Sequence, residues 1–160
     1  MVDTIERLTH ARLVEGRRHE GGDAVLERAQ RLSDDPLQQL LILVGLYAEL
    51  FDGLAEPYPG CLLAAYVYEM QLFDDELKPI INREFELSRR ELSKLIDQIK
   101  RQYPPRAEVD SVVLADMFMS TFEGAFVLSK SLHEPDITAQ QLRLYKTLVE
   151  ALFNPRLPAN

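Results

Sequence analysis

Proline and glycine, the residues that most often interrupt helices, fall almost entirely between the apolar-periodic segments of this chain. Within those segments the apolar residues recur at spacings of three and four, and no segment alternates apolar and polar residues as a strand would. The seven predicted helices cover residues 3–15, 24–33, 37–54, 61–72, 76–103, 108–132 and 139–153. The sequence therefore predicts an all-α fold, a bundle of several helices.

The helix at 37–54 has the strongest start signal. Asp35 can cap it, Pro36 suits the first helical position, and Gln38 follows the cap by three residues. Its apolar residues occupy most of the circumference, so we expect it to lie centrally with helices on several sides. Thr138 and Gln141 give the last helix a similar capping signal.

The helix at 76–103 carries one narrow apolar stripe, with charged residues on the rest of its surface. The stripe contains Ile81, Phe85, Ser88, Leu92, Leu95 and Ile99. This pattern predicts a helix that buries one side only.

Composition is typical of a globular domain with a substantial core, since 46% of the 160 residues are hydrophobic and 28% are charged. The net charge is −8, and the densest basic group, Arg12, Arg17 and Arg18, lies among acidic residues, so no nucleic-acid surface is expected. No apolar run reaches the roughly 18 residues of a membrane span. The N-terminus lacks the apolar region of a secretory signal, and a single cysteine fits a reducing cytoplasm.

The sequence predicts neither an enzyme nor a bound cofactor. The three histidines lie in polar segments without helical i, i+4 spacing, so no metal site is expected, and no phosphate loop, nucleophile elbow or dinucleotide motif is present. Cys61 is the one candidate nucleophile. It lies near a predicted helix start, where a thiol is activated, but a small buried hydrophobe is the competing interpretation.

Two further patterns leave alternatives open. Aromatic and methionine side chains alternate with small residues in several helices, which fits either a packed core or an apolar ligand cavity. The last two helices are too apolar for one neighbour each, so they either complete the core or pack against a second copy of the chain. Gly124 would allow close backbone approach at such a contact.

Four stretches, in their order along the chain, resemble the C-terminal effector-binding and dimerisation domain of TetR/AcrR-type transcriptional regulators. They are DDPLQQLLILVGLYAELFDG, PGCLLAAYVYEM, DDELKPIINREFELSRRELSKLIDQIK and VDSVVLADMFMSTFEGAFVLSKSL. The resemblance covers roughly residues 24–153. It implies a ligand-binding and dimerisation domain at 23–153, followed by a tail at 154–160.

The resemblance also implies a homodimer whose last two helices form a four-helix interface, and a small, mostly apolar effector bound among the middle helices. The implied ligand-binding residues are Tyr47, Phe51, Cys61, Ala65, Tyr68, Phe85, Phe118 and Phe122. The interface residues, with Gly124, are Phe126, Lys130, Leu142, Tyr145, Val149 and Phe153.

The N-terminal part of the chain departs from this family. Its members carry a three-helix DNA-binding head before this domain, and residues 1–22 are too short for such a head and lack its helix-turn-helix. DNA binding is therefore expected only if a head is supplied. The alternatives are a headless adaptor that pairs with other proteins and, as a weaker candidate, an enzyme that uses Cys61.

Overall fold

The computed structural model describes residues 22–68 and 77–153, which form helices joined by loops without any strand among them. The helices are α1 (Gly22–Leu32), α2 (Pro36–Leu50), α3 (Leu62–Tyr68), α4 (Leu77–Gln102), α5 (Ser111–Leu132) and α6 (Ile137–Phe153). This confirms the all-α prediction. The predicted helix at 3–15, the rest of segment 1–21, residues 69–76 and the tail at 154–160 lie outside the described residues.

Helix α2 lies at the centre of the fold. The Asp35 carboxylate caps it by accepting a hydrogen bond of 2.8 Å from the Gln38 backbone N–H, and Pro36 opens the first turn. Leu40 and Val44 are completely buried, and α2 contacts α1, α4 and α6, as its apolar circumference predicts. The helix ends earlier than predicted, at Leu50, and the chain then turns away toward α3.

Helix α5 packs against both α4 and α6. The Asp110 carboxylate caps its first turn by accepting hydrogen bonds from the Val112 and Val113 backbone N–H groups. The Arg89 guanidinium of α4 forms two hydrogen bonds of 2.7 Å with the Asp116 carboxylate of α5. This paired contact joins the middle of α4 to the first third of α5.

Among the described helices, α5 has the length and apolar composition that a membrane span would need. That criterion alone is weak, because core helices of globular proteins also meet it. Here Leu114, Ala115, Phe118, Ala125 and Phe126 of α5 are buried inside the fold.

The start of α6 corrects the predicted cap. The helix begins at Ile137, so Thr138 lies inside the first turn instead of preceding the helix. Thr138 is 1% exposed, and its hydroxyl has no hydrogen-bond partner in the described part of the chain. The capping pattern did not indicate that this position is buried.

The structure also relocates most of the residues assigned to the dimer interface. Five are buried in the chain's own core, namely Phe126, Leu142, Tyr145, Val149 and Phe153. The stripe on α6 faces inward because α2 requires an apolar partner and α6 is the helix packed along it. In this fold a second copy of the chain has no access to those five side chains.

The two remaining assigned residues lie on the surface, in different settings. Gly124 is exposed, and a Cβ atom placed there would meet nothing within 4 Å. The Lys130 ammonium instead donates a hydrogen bond of 3.1 Å to the Pro59 carbonyl oxygen. It therefore links α5 to the loop that leads into α3.

Candidate ligand cavity

A cavity of about 150 Å³ lies between α4 and α5, beside the residue that precedes α3. Its lining combines aromatic, aliphatic and sulfur-containing side chains with two carboxyls and one hydroxyl. The lining residues are Cys61, Glu84, Phe85, Ser88, Leu92, Phe118, Met119, Phe122 and Glu123. An apolar cavity with a few converging polar groups is the usual form of a small-molecule site.

The cavity exists because the apolar stripe of α4 is interrupted. The stripe is buried at Ile81 and again at Leu92, Leu95 and Ile99. Between them Phe85 is only half-buried and the small Ser88 is exposed. A serine at this position leaves unfilled space where a larger apolar residue would reach α5.

Phe122 forms the aromatic floor of the cavity. Its ring lies 5.2 Å from Tyr47, 5.5 Å from Phe51, 6.0 Å from Phe118 and 4.8 Å from Phe126, measured between ring centroids. Three of these pairs are edge-to-face, the arrangement that the aromatic quadrupole favours. The floor is therefore held rigidly by the core behind it.

The polar side of the cavity is built around Glu123. Burial raises the pKa of this carboxyl, and a hydrogen bond from the Cys61 thiol offsets part of the rise by favouring the charged form. Cys61 itself is half-buried, and its carbonyl oxygen accepts the first hydrogen bond of α3 from the Ala65 N–H over 3.1 Å. The thiol is thus held at the cavity wall by the helix start.

The approach to Cys61 depends on the preceding residue. Gly60 has a φ of 101°, a backbone conformation that residues with a Cβ atom rarely adopt. The Lys130 hydrogen bond to the Pro59 carbonyl oxygen joins the same loop to α5. Together these features direct the chain so that Cys61 meets α5.

Four of the eight predicted ligand-binding residues line the cavity: Cys61, Phe85, Phe118 and Phe122. Tyr47 and Phe51 lie behind it, against Phe122, and do not line it. The structure thus brings six of the predicted residues to one region, four of them in direct contact with the cavity.

Ala65 and Tyr68 do not belong to this site. Ala65 is exposed and Tyr68 is 79% exposed. Tyr66 of α3 is buried instead, and it packs against Ile81. Because Tyr68 lies about 200° from Tyr66 around a helix, it must face outward once Tyr66 is buried.

Sequence reasoning missed the polar lining. Glu84, Glu123 and Ser88 were not assigned to a site, and neither were Leu92 and Met119. Two signals pointed to this region: a serine within the apolar stripe of α4, and Glu123 as the only charged residue between positions 117 and 129. The pairing of Glu123 with Cys61 joins residues far apart in sequence, and neither pattern revealed it.

The arrangement is suited to binding. It offers aromatic walls, a hydrogen-bonded carboxyl and a thiol, but no histidine lies among its lining residues to act as a base for Cys61. Within the described residues, no group of three His, Cys, Asp or Glu side chains could hold a metal ion.

Comparisons of this chain with protein-family models, curated proteins and solved structures found no match.

Proposed function

We propose that this chain is a ligand-binding and self-associating module of the TetR-like type, which binds a small, mostly apolar effector. The cavity between α4 and α5 is the observation that carries the proposal. Its volume of about 150 Å³ equals that of an engineered apolar cavity able to bind benzene. An effector of roughly one aromatic ring therefore fits without rearrangement of the core.

Helix α5 connects the cavity to the proposed contact with a second copy. Its inner side carries Phe118, Phe122 and Glu123 of the cavity, while Gly124 on the next position is exposed. A ligand that favours one placement of α5 would therefore shift the equilibrium between two arrangements of paired subunits. In a regulator that carries DNA-binding heads, this shift would alter the spacing of the heads.

The proposed dimer contact is the outer face, defined here as six exposed residues that fall in pairs spaced by four on the neighbouring helices α5 and α6. Its members are Val113, Met117, Gly124, Leu128, Leu144 and Leu148. Residues four apart lie on the same side of a helix, so these residues form one stripe along α5 and one along α6. Two such helices from each copy would form a four-helix contact related by a two-fold axis.

A thermal-denaturation screen with small apolar compounds tests the effector. We expect at least one ring-sized compound to raise the melting temperature of the chain, and Ser88→Phe, which fills the cavity mouth, to abolish that rise. Glu86→Phe is the matched control, because Glu86 is exposed on α4 and does not line the cavity. Failure of every compound to stabilise the protein would refute effector binding.

Analytical ultracentrifugation tests the self-association. The proposal predicts a dimer at micromolar concentration, and a monomer there would refute it. The exposed outer face also favours a second candidate, an adaptor that pairs with a different protein. In that case the chain would sediment as a monomer alone and form a complex only when the partner is mixed with it.

A further inference from the structure

The charge of the cavity lining is one-sided. Two of its nine residues are glutamates, Glu84 from α4 and Glu123 from α5, and none of the lining residues is basic. The two carboxyls come from the two helices between which the cavity lies. Among these lining residues, a molecule inside the cavity therefore contacts acidic groups and aromatic rings.

Glu123 favours a particular kind of occupant. Burial disfavours its charged form, and the thiol of Cys61 supplies a hydrogen bond but no opposite charge. An ammonium group beside the carboxylate would supply that charge and form a charge-assisted hydrogen bond. A carboxylate of the ligand in that position would be disfavoured, because like charges repel in a poorly solvated site.

The apolar walls also favour a ligand that carries an ammonium group. Phe85, Phe118 and Phe122 line the cavity, and the face of an aromatic ring attracts a nearby cation. Leu92 and Met119 supply contact surface for an uncharged ring or short aliphatic body. The available volume restricts that body to about the size of one aromatic ring.

We propose that the cavity between α4 and α5 selects small hydrophobic cations, with one aromatic ring or a similar apolar body carrying an ammonium group, over neutral and anionic molecules of equal size. This selectivity rests on the proposed ligand-binding function and names the chemical class of its effector. Glu123 is the residue that discriminates by charge, and the aromatic floor accommodates the apolar body.

Three probes of nearly equal size separate charge from shape: benzylamine as the cation, benzyl alcohol as the neutral molecule and benzoate as the anion. Titrations of the whole chain, followed by ¹H–¹⁵N NMR at neutral pH, give a dissociation constant for each. Because a hydrogen bond to a charged partner is stronger than a neutral one, we expect benzylamine to bind about tenfold or more tightly than benzyl alcohol. Benzoate should bind more weakly than either.

Glu123→Gln assigns the preference to one side chain. Glutamine keeps the size of the residue and can still accept the hydrogen bond from Cys61, but it carries no charge. The variant should bind benzylamine and benzyl alcohol with similar affinity. Glu86→Gln, a change at an exposed site on α4 outside the cavity, should keep the wild-type preference.

The outcomes distinguish this inference from the proposed function. If benzyl alcohol binds as tightly as benzylamine, or Glu123→Gln keeps the preference, charge selection is overturned while the ligand-binding role stands. If none of the three probes binds, both are overturned for ligands of this size. If Glu123→Gln does not fold, the wild-type titrations decide the point, because equal affinities for benzylamine and benzyl alcohol would reject the inference.

Discussion

The Cys61 thiol donates a hydrogen bond to the Glu123 carboxylate, and the two side chains together form one wall of the cavity. The contact joins the residue before α3 to the middle of α5 across the fold. A carboxylate beside a sulfur opposes formation of a second negative charge there, so the pair is poorly arranged for a nucleophilic thiol. We therefore interpret Cys61 as a positioned wall residue.

Replacing Glu123 by glutamine should change stability in a pH-dependent way. Burial raises the pKa of Glu123 in the folded chain above its ordinary value of 4.5. The folded state then holds the proton more tightly than the unfolded state. The contribution of protonated Glu123 to the unfolding free energy is therefore fully present below pH 4.5 and is lost as pH rises through the folded pKa. Glu123→Gln should accordingly be more stable than wild type at pH 7, and the difference should vanish near pH 4. Urea denaturation at several pH values measures this.

Glu91 provides the control of opposite sign. The hydrogen bond from Lys94 lowers the pKa of Glu91 on the exposed side of α4. Glu91→Gln should therefore lose a small amount of stability above pH 4.5 and none well below it. A constant stability gain of Glu123→Gln across the whole pH range would contradict the assignment of the effect to burial of its charge.

Two glycines with open surroundings should respond to alanine in opposite directions. A Cβ atom at Gly60 or Gly124 would meet nothing within 4 Å, so neither substitution causes a clash. Gly60 has a φ of 101°, and alanine there should cost on the order of 1–3 kcal/mol of unfolding free energy. Gly124 lies inside α5, where alanine should add about 0.5–1 kcal/mol.

Chemical denaturation of Gly60→Ala and Gly124→Ala measures the change in unfolding free energy for each variant. Gly60→Ala should also disturb the cavity, because Cys61 follows directly, and probe binding should weaken in parallel. Equal stability of the two variants would show that the loop before α3 does not require the backbone conformation described. In Gly124→Ala, weaker self-association together with a more stable fold would support the outer face as the dimer contact.

Much of the fold could be predicted from local pattern, because local physics decides it. The Asp35 cap, the Pro36 start and the central position of α2 follow from neighbouring residues and apolar periodicity. The direction of the α6 stripe did not follow, since Leu142 and Val149 would look the same in a sequence whether they faced α2 or a second copy. That choice depends on which apolar surface remains uncovered after the chain has packed.

The cavity shows the same limit. Phe118 and Phe122 line the cavity; the resemblance implied them as ligand-binding residues, whereas the aromatic content of the helices alone fitted either a core or a cavity. Glu123 was missed because a single charge in an apolar helix is usually placed at the surface, and only the packing of α4 and the approach of Cys61 bring it to a cavity wall. Tyr68, which the resemblance implied as a ligand-binding residue, is exposed and does not line the cavity, and the rotation of a seven-residue helix cannot be fixed from its own sequence.

Replacing Thr138 by valine should stabilise the fold. The hydroxyl of Thr138 is buried without a partner in the described part of the chain, and valine has nearly the same shape. Removing an unsatisfied buried hydroxyl should raise the unfolding free energy by about 1–3 kcal/mol. Thr147→Val is the control, because Thr147 is exposed and its hydroxyl donates to the Arg143 carbonyl oxygen. A destabilised Thr138→Val would show that the hydroxyl has a hydrogen-bond partner in solution.

Leu142 and Leu148 on α6 separate the core from the proposed dimer contact. Leu142 is completely buried and Leu148 is 47% exposed, although both are leucines on the same helix. Leu142→Ala should cost about 2–5 kcal/mol of unfolding free energy because it leaves a cavity against the core. Leu148→Ala should change stability by less than about 0.5 kcal/mol at low protein concentration, where the chain is monomeric.

Association should follow the opposite order. Leu148→Asp places a charge on the outer face and should weaken the dimer strongly in sedimentation equilibrium, whereas Leu142→Ala should affect association only through loss of folded chain. If Leu142→Ala instead left the monomer stable and abolished the dimer, the inward stripe of α6 would be the interface. The fold described for α2 and α6 would then apply only to the isolated chain, and the outer face would lose its assigned role.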